Sequence, residues 1–170
     1  IKSAPIVSYI SADNYSMGLN IGRSVILGNN LEKKIAVLLS NDQRESIVDR
    51  YRGLIDCLKN TQNTIVKWKM GEGDFNQTLF VEKKMKEEPV DVIIALDDTG
   101  LEAVVDAILE SKIEVDAFGI GSTDKIVHYL DEGVIKSIVF QNEFNMGYLG
   151  VQVITNELRN TKLVIDTKVE

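Results

Sequence analysis

The sequence predicts an α/β protein built on a doubly wound parallel sheet flanked by helices on both faces. Three observations lead there. Short β-branched runs alternate with longer amphipathic runs along all 170 residues, the pattern of repeated strand and helix units. The run Ile35-Ala36-Val37-Leu38-Leu39 is continuously apolar, and Val90-Asp91-Val92-Ile93-Ile94-Ala95-Leu96 is nearly so, as a strand covered on both faces must be. A composition of 44% hydrophobic and 26% charged residues is that of an ordinary globular chain with a sizeable core.

Strands are expected at 6–10, 34–39, 64–68, 90–96, 115–120, 137–140 and 163–167. The first helix, 15–27, is expected to be capped by Asp13, to bury Met17, Ile21 and Val25, and to stop at Gly28-Asn29-Asn30. A second, 45–59, turns Ile47, Tyr51, Leu54, Ile55 and Leu58 to one side. A third, 76–86, ends before Pro89, because the residue preceding a proline avoids the helical region. Helices at 100–109, 124–130 and 145–158 complete the set. Asp98 is expected to cap the fourth. The last carries Met146, Leu149, Val153 and Leu158 on one stripe and Tyr148, Val151 and Ile154 on another, so it is apolar around much of its circumference. No linker and no internal repeat is visible.

Open parallel sheets bind ligands outside the carboxyl ends of their strands. Function is therefore expected in the loops at 11–14, 40–44, 69–75, 97–100, 121–124 and 141–144. Several chemistries have no parts there. With a net charge of -7 and scattered basic residues, direct nucleic-acid binding is not expected. The single Cys57 makes no internal disulfide, and with the single His128 it offers no zinc spacing. No apolar run reaches bilayer length. There is no phosphate loop and no G-x-G-x-x-G after the first strand, and Gly71-Glu72-Gly73 sets a carboxylate where a phosphate would sit. His128 reads as a helix-surface residue, Cys57 as a small helix residue, and no G-x-S-x-G is present. No enzyme activity, metal or cofactor is expected. The pair Asp97-Asp98 leaves a magnesium or phosphoacceptor site of a receiver-like domain open, although Gly121 and Ser122 stand where its lysine would be sought.

What remains at the strand ends is a coherent set: Arg50, the carboxylates Asp97 and Asp13, the amides Asn76 and Gln141, and the aromatic Phe75. A charged fork, acceptors, amides and an aromatic plane suit a polyhydroxylated ligand held without chemistry. Asp97 is expected to touch ligand and Asp98 to cap.

The residues also resemble a known family, the type I periplasmic-binding-protein superfamily of sugar-binding proteins and lactose-repressor-like domains. Ser11-Ala12-Asp13-Asn14-Tyr15-Ser16-Met17-Gly18 resembles its D-N-x-x-x-G helix start, and Asp49-Arg50-Tyr51-Arg52-Gly53-Leu54 its R-x-x-G-F helix. Gly73-Asp74-Phe75-Asn76 resembles a segment with a ring-stacking aromatic, and Ala95-Leu96-Asp97-Asp98 resembles A-x-N-D. Ala117-Phe118-Gly119-Ile120-Gly121-Ser122 resembles V-V-G-F-D-G, and Gln141-Asn142-Glu143-Phe144-Asn145-Met146-Gly147-Tyr148 resembles Q-x-P-x-x-M-G-Y.

The resemblance implies that Arg50 forks onto ligand oxygens, Phe75 stacks on a ring, and Asp97 and Gln141 bond hydroxyls. Gly121 stands where sugar binders usually have aspartate, so one hydroxyl contact is missing, and Asp97 stands where asparagine is commoner, an acceptor-only group that favours a ligand with an extra donor such as an amine. It also implies that residues 1–143 are the second lobe of a two-lobed clamp, that 144–170 are a helix and strand returning to the first lobe, and that the first lobe is absent from the chain. The expected role is an extracytoplasmic solute-binding protein capturing a sugar or related polyol for an ABC importer permease or a membrane sensor. The alternative is the ligand-binding domain of a cytoplasmic, lactose-repressor-type regulator. The wording of 30–36 and 141–150 favours the former. The apolar helix at 145–158 is expected to drive self-association of the chain.

Overall fold

The computed structural model describes residues 8–70 and 76–159 and the backbone of 168–169. In chain order the elements are β1 (Ser11–Ala12), α1 (Asn14–Leu27), β2 (Lys34–Leu39), α2 (Glu45–Leu58), β3 (Thr64–Lys69), α3 (Gln77–Glu87), β4 (Val92–Ala95), α4 (Asp98–Ser111), β5 (Asp116–Ile120), α5 (Asp124–Asp131), β6 (Ile135–Val139), α6 (Glu143–Leu158) and β7 (Lys168–Val169). They fall into two compact units, Asn14–Phe140 and a smaller one made of Ile1–Asp13 with Gln141–Glu170. The expected boundary at 143/144 thus lies three residues past the observed division, and the first thirteen residues group with the C-terminal segment.

The larger unit is a five-stranded, fully parallel sheet in the order β3-β2-β4-β5-β6. The chain leaves β2 for the neighbouring β3, then crosses back over to β4 and proceeds outward. That reversal sets the topological switch point between β2 and β4, where such sheets open a crevice at their carboxyl ends.

Alternation of side chains along the strands divides the core in two. Ala36 and Leu38 of β2, Ile93 and Ala95 of β4 and Trp68 of β3 pack with Val81 and Met85 of α3, Leu101, Val104, Val105 and Ala107 of α4, and Ile126 of α5. The intervening Ile35, Val37, Val92, Ile94 and Phe118 are equally sealed from solvent and face the other way, toward α1 and α2, which bury Met17, Ile21, Val25, Ile47, Leu54 and Leu58. At about 1.5–3 kcal/mol for each fully buried Val, Leu or Ile, these two apolar layers outweigh the ion pairs of the surface, each worth about 0–1 kcal/mol.

α1 and α2 meet through glycine. A Cβ on Gly18 would stand 2.0 Å from the carbonyl oxygen of Arg50, and one on Gly53 would stand 2.1 Å from that of Tyr15. The two backbones therefore touch, as no other residue pair would allow.

Most elements lie within two residues of expectation, and two boundaries moved for visible reasons. β6 starts at Ile135 rather than 137, because Gly133 at φ 76 turns the chain out of α5 early enough for pairing to begin. α4 starts at Asp98, two residues before the expected start, because the cap is Asp97. Of the expected first strand, 8–10 are not in a strand; the paired segment is Ser11–Ala12, parallel to Lys168–Val169. Residues 6–7 and the expected strand 163–167 lie outside the described residues.

Candidate functional site

The loops that follow β2 and β4 flank the switch point, and the polar side chains of the larger unit gather there. Arg50 projects from the second turn of α2 and is 9% exposed. A buried guanidinium must satisfy its donors inside the protein. Its Nε donates to Asn14 Oδ1 at 2.9 Å and its Nη1 donates to the carbonyl oxygen of Leu96 at 2.7 Å. Burial lowers its pKa from the ordinary guanidinium value, the nearby charge of Asp97 opposes that shift, Arg44 reinforces it and Asp98 opposes it; the group stays protonated throughout the physiological range.

The glycine contact explains how Arg50 finds Asn14. Gly18 lies four residues after Asn14 on α1, and Gly53 three after Arg50 on α2. Because those glycines let the helices touch, the polar side chains at their amino-terminal ends come within one hydrogen bond. The N-x-x-x-G and R-x-x-G spacings thus carry a packing instruction. Asn14 was missed in the sequence, where only Asp13 was singled out in that loop; the helix-spaced glycines were the signal for it.

The cap of α4 is Asp97 and not, as expected, Asp98. Asp97 is extended at φ −152 and ψ 167 and caps α4, its Oδ1 accepting from the backbone N–H of Gly100 at 2.8 Å. Its Oδ2 accepts from the hydroxyl of Ser40 at the end of β2. Asp98 does not cap. Its Oδ1 accepts from the backbone N–H of Ser122 at 2.9 Å, tying the start of α4 to the loop after β5. A Cβ on Gly121 would stand 2.6 Å from Ile126 Cδ1 and 2.8 Å from Asp98 Oδ1, so the carboxylate of Asp98 occupies the room that a side chain at 121 would need. The two carboxylates are thereby drawn to opposite neighbours, Asp97 toward β2 and Asp98 toward β5. Among the described residues, no group of three or more His, Cys, Asp or Glu could hold a metal ion.

Of the other candidates, Asn76 caps α3, with Oδ1 accepting from the N–H of Leu79 at 3.1 Å. Phe75 lies outside the described residues, as does Gly71-Glu72-Gly73. Asp13 and Gln141 belong to the smaller unit. Asp13 directly precedes α1, and Gln141 Nε2 donates to Glu143 Oε1 at 3.0 Å, just ahead of the Asn142 cap of α6. The structure thus brings Arg50 and Asp97 together with the unforeseen Asn14 and Ser40. His128 is exposed on α5. Cys57 packs onto Gly22, and burial pushes its thiol pKa up, the reverse of what a reactive thiolate needs.

An anchored donor fork beside fixed acceptors can recognise hydroxyl groups. A family model described as "Periplasmic binding protein domain" matches residues 1–162. Comparison with the curated proteins finds no match. Among solved structures, the chain is similar to GanP, a glucose-galactose binding protein from Geobacillus stearothermophilus, with 18% identity and a TM-score of 0.86 over 100% of this chain and 62% of that one. It is similar to the periplasmic component of an ABC-type sugar transport system from Hahella chejuensis, with 22% identity and a TM-score of 0.84 over 100% and 63%. A carbohydrate transporter solute binding protein from Agrobacterium radiobacter, solved in complex with D-arabinose, gives 21% identity and 0.84 over 97% and 59%. The chain spans about three fifths of the length of these proteins. With the match running through nearly its whole length, the chain belongs to the periplasmic binding protein domain family.

Proposed function

We propose that the chain supplies one face of an extracytoplasmic solute-binding protein, which captures a sugar or related polyol and presents it to an ABC importer permease or a membrane sensor. The observation that carries this reading is a buried Arg50 at the switch point of the sheet, anchored to Asn14 at Nε and to the Leu96 carbonyl oxygen at Nη1. A guanidinium fixed at Nε and Nη1 is preorganised, so little side-chain entropy is lost when it meets ligand oxygens. Phe75 and Asn76 add a proposed stacking plane and hydroxyl partner within the same unit, and no catalytic step is part of the role. Family membership and the names of the structural neighbours support the sugar class.

The test is calorimetry on the full-length protein encoded by the gene, titrated with D-glucose, D-galactose and D-arabinose. At least one is expected to bind, and Arg50→Ala is expected to weaken that binding by about 2 kcal/mol or more, since it strips a charge-assisted contact. Unchanged affinity in Arg50→Ala would remove the residue from the site.

A further inference from the structure

Ser40 was not singled out by its sequence context, yet it occupies the switch point itself. It directly follows β2, and Asp97 lies two residues past the end of the neighbouring β4. The hydroxyl of Ser40 donates to Asp97 Oδ2. A serine hydroxyl has one proton and two lone pairs, while an ionised carboxylate only accepts, so the proton of Ser40 is committed to Asp97. Asp97 is not free to turn away, because its Oδ1 is held by the N–H of Gly100 at 2.8 Å. Ser40 is half-buried rather than sealed. What its oxygen can still offer is a lone pair.

We propose that Ser40 is a ligand-contacting, specificity-determining residue whose hydroxyl Asp97 fixes as a hydrogen-bond acceptor, so that the solute group it meets is a donor, a hydroxyl or an ammonium. This rests on reading the crevice as a solute site. Asp97 acts through Ser40 as a positioning residue. Asparagine at 97 would reverse the polarity of the pair. To keep the cap, its Oδ1 would accept from Gly100 N–H, which sets Nδ2 where Oδ2 now lies. That amide would donate to Ser40 Oγ and turn the serine proton outward, against the ligand's own donor.

The experiment is calorimetry on the full-length protein with D-glucose, D-galactose, D-arabinose, D-glucosamine and D-galactosamine, followed by Ser40→Ala, Asp97→Asn and the double variant on the best-binding sugar. Ser40→Ala is expected to weaken binding about tenfold, the effect of one lost hydrogen bond at a desolvated contact. Asp97→Asn is expected to weaken it at least as much, with thermal stability kept, because asparagine caps a helix as well as aspartate. The decisive result is in the double variant: without a hydroxyl to reorient, Asp97→Asn should add less than about twofold to Ser40→Ala. An amino sugar preferred over its parent, with the preference lost in Asp97→Asn, identifies the donor as an ammonium, and equal or better binding of the parent identifies a hydroxyl. Wild-type affinity in Ser40→Ala, or a full Asp97→Asn effect persisting in the Ser40→Ala background, overturns the inference. Binding of none of the sugars by the wild-type protein overturns the solute reading on which it rests.

Discussion

Asn14 accepts a hydrogen bond from Arg50 Nε at 2.9 Å, joining residues 36 positions apart. The bond exists only because α1 and α2 approach to backbone contact at Gly18 and Gly53. A packing feature that reads as ordinary helix chemistry thus sets the aim of the most buried charge in the crevice.

Gly18→Ala should be among the most damaging small substitutions in the protein. Its new methyl would stand 2.0 Å from the Arg50 carbonyl oxygen, and a backbone atom cannot rotate aside as a side-chain end can. A loss of about 3 kcal/mol, at the upper end of overpacking costs, is expected in urea unfolding. Gly147→Ala is the control: nothing described lies within 4 Å of its Cβ position in α6, so the variant should gain about 0.5–1 kcal/mol from helix propensity. Equal effects at both sites would remove the contact from the argument.

Asn14→Ala leaves the 9%-exposed Arg50 with one anchor fewer. Stripping a partner from a buried charged donor costs about 1–3 kcal/mol, and the freed guanidinium should also bind sugar less tightly. Asn14→Asp restores an acceptor and should recover most of the stability. Chemical denaturation together with calorimetry separates the two effects; full ligand affinity in Asn14→Ala would show that Arg50 needs no such support.

These residues also show what the sequence made legible. β2 falls on Lys34–Leu39 as expected, because a buried parallel strand is written as an unbroken apolar run. Which of Asp97 and Asp98 caps α4 was not legible, because adjacent aspartates are equally good caps and a shift of one residue moves the cap from one to the other. Ser40 was not legible either, since its partner is 57 positions away and only the strand order makes them neighbours. Arg50 stood out as the charged fork among the polar residues near the strand ends and through the R-x-x-G helix that the family resemblance rests on.

α6 has no fully buried residue. Phe144, Tyr148, Val151, Ile154 and Leu158 are 55–82% exposed, a contiguous apolar surface of the kind that marks an interaction site. The 170-residue chain by itself should therefore self-associate, and Tyr148→Lys with Val151→Glu should shift it toward monomer in sedimentation at tens of micromolar. A wild-type chain that sediments as a monomer would sink this expectation.

Two carboxyl groups should give opposite pH signatures. Asp56 is held below its ordinary pKa, first by the hydrogen bond that Tyr15 Oη donates to it at 2.9 Å and then by Lys59. A depressed folded-state pKa gives stability that is present above the unfolded value and lost as pH falls through the folded one. Asp56→Asn should therefore destabilise at neutral pH, with the deficit closing toward the acid end. Glu110 is held above its ordinary pKa, first by its hydrogen bond with Glu82, then by burial and by the charges of Glu82 and Asp106. Here the sign reverses: the favourable protonated pair exists below the unfolded pKa and is lost as pH rises through the folded one. Glu110→Gln should accordingly raise the thermal midpoint at neutral pH, where it removes a like-charge contact, and lose that advantage as the solution is acidified. Thermal unfolding of both variants from neutral pH to below the carboxylate range reads the two slopes directly; slopes of the same sign would mean that one of the two contacts does not set its carboxyl group.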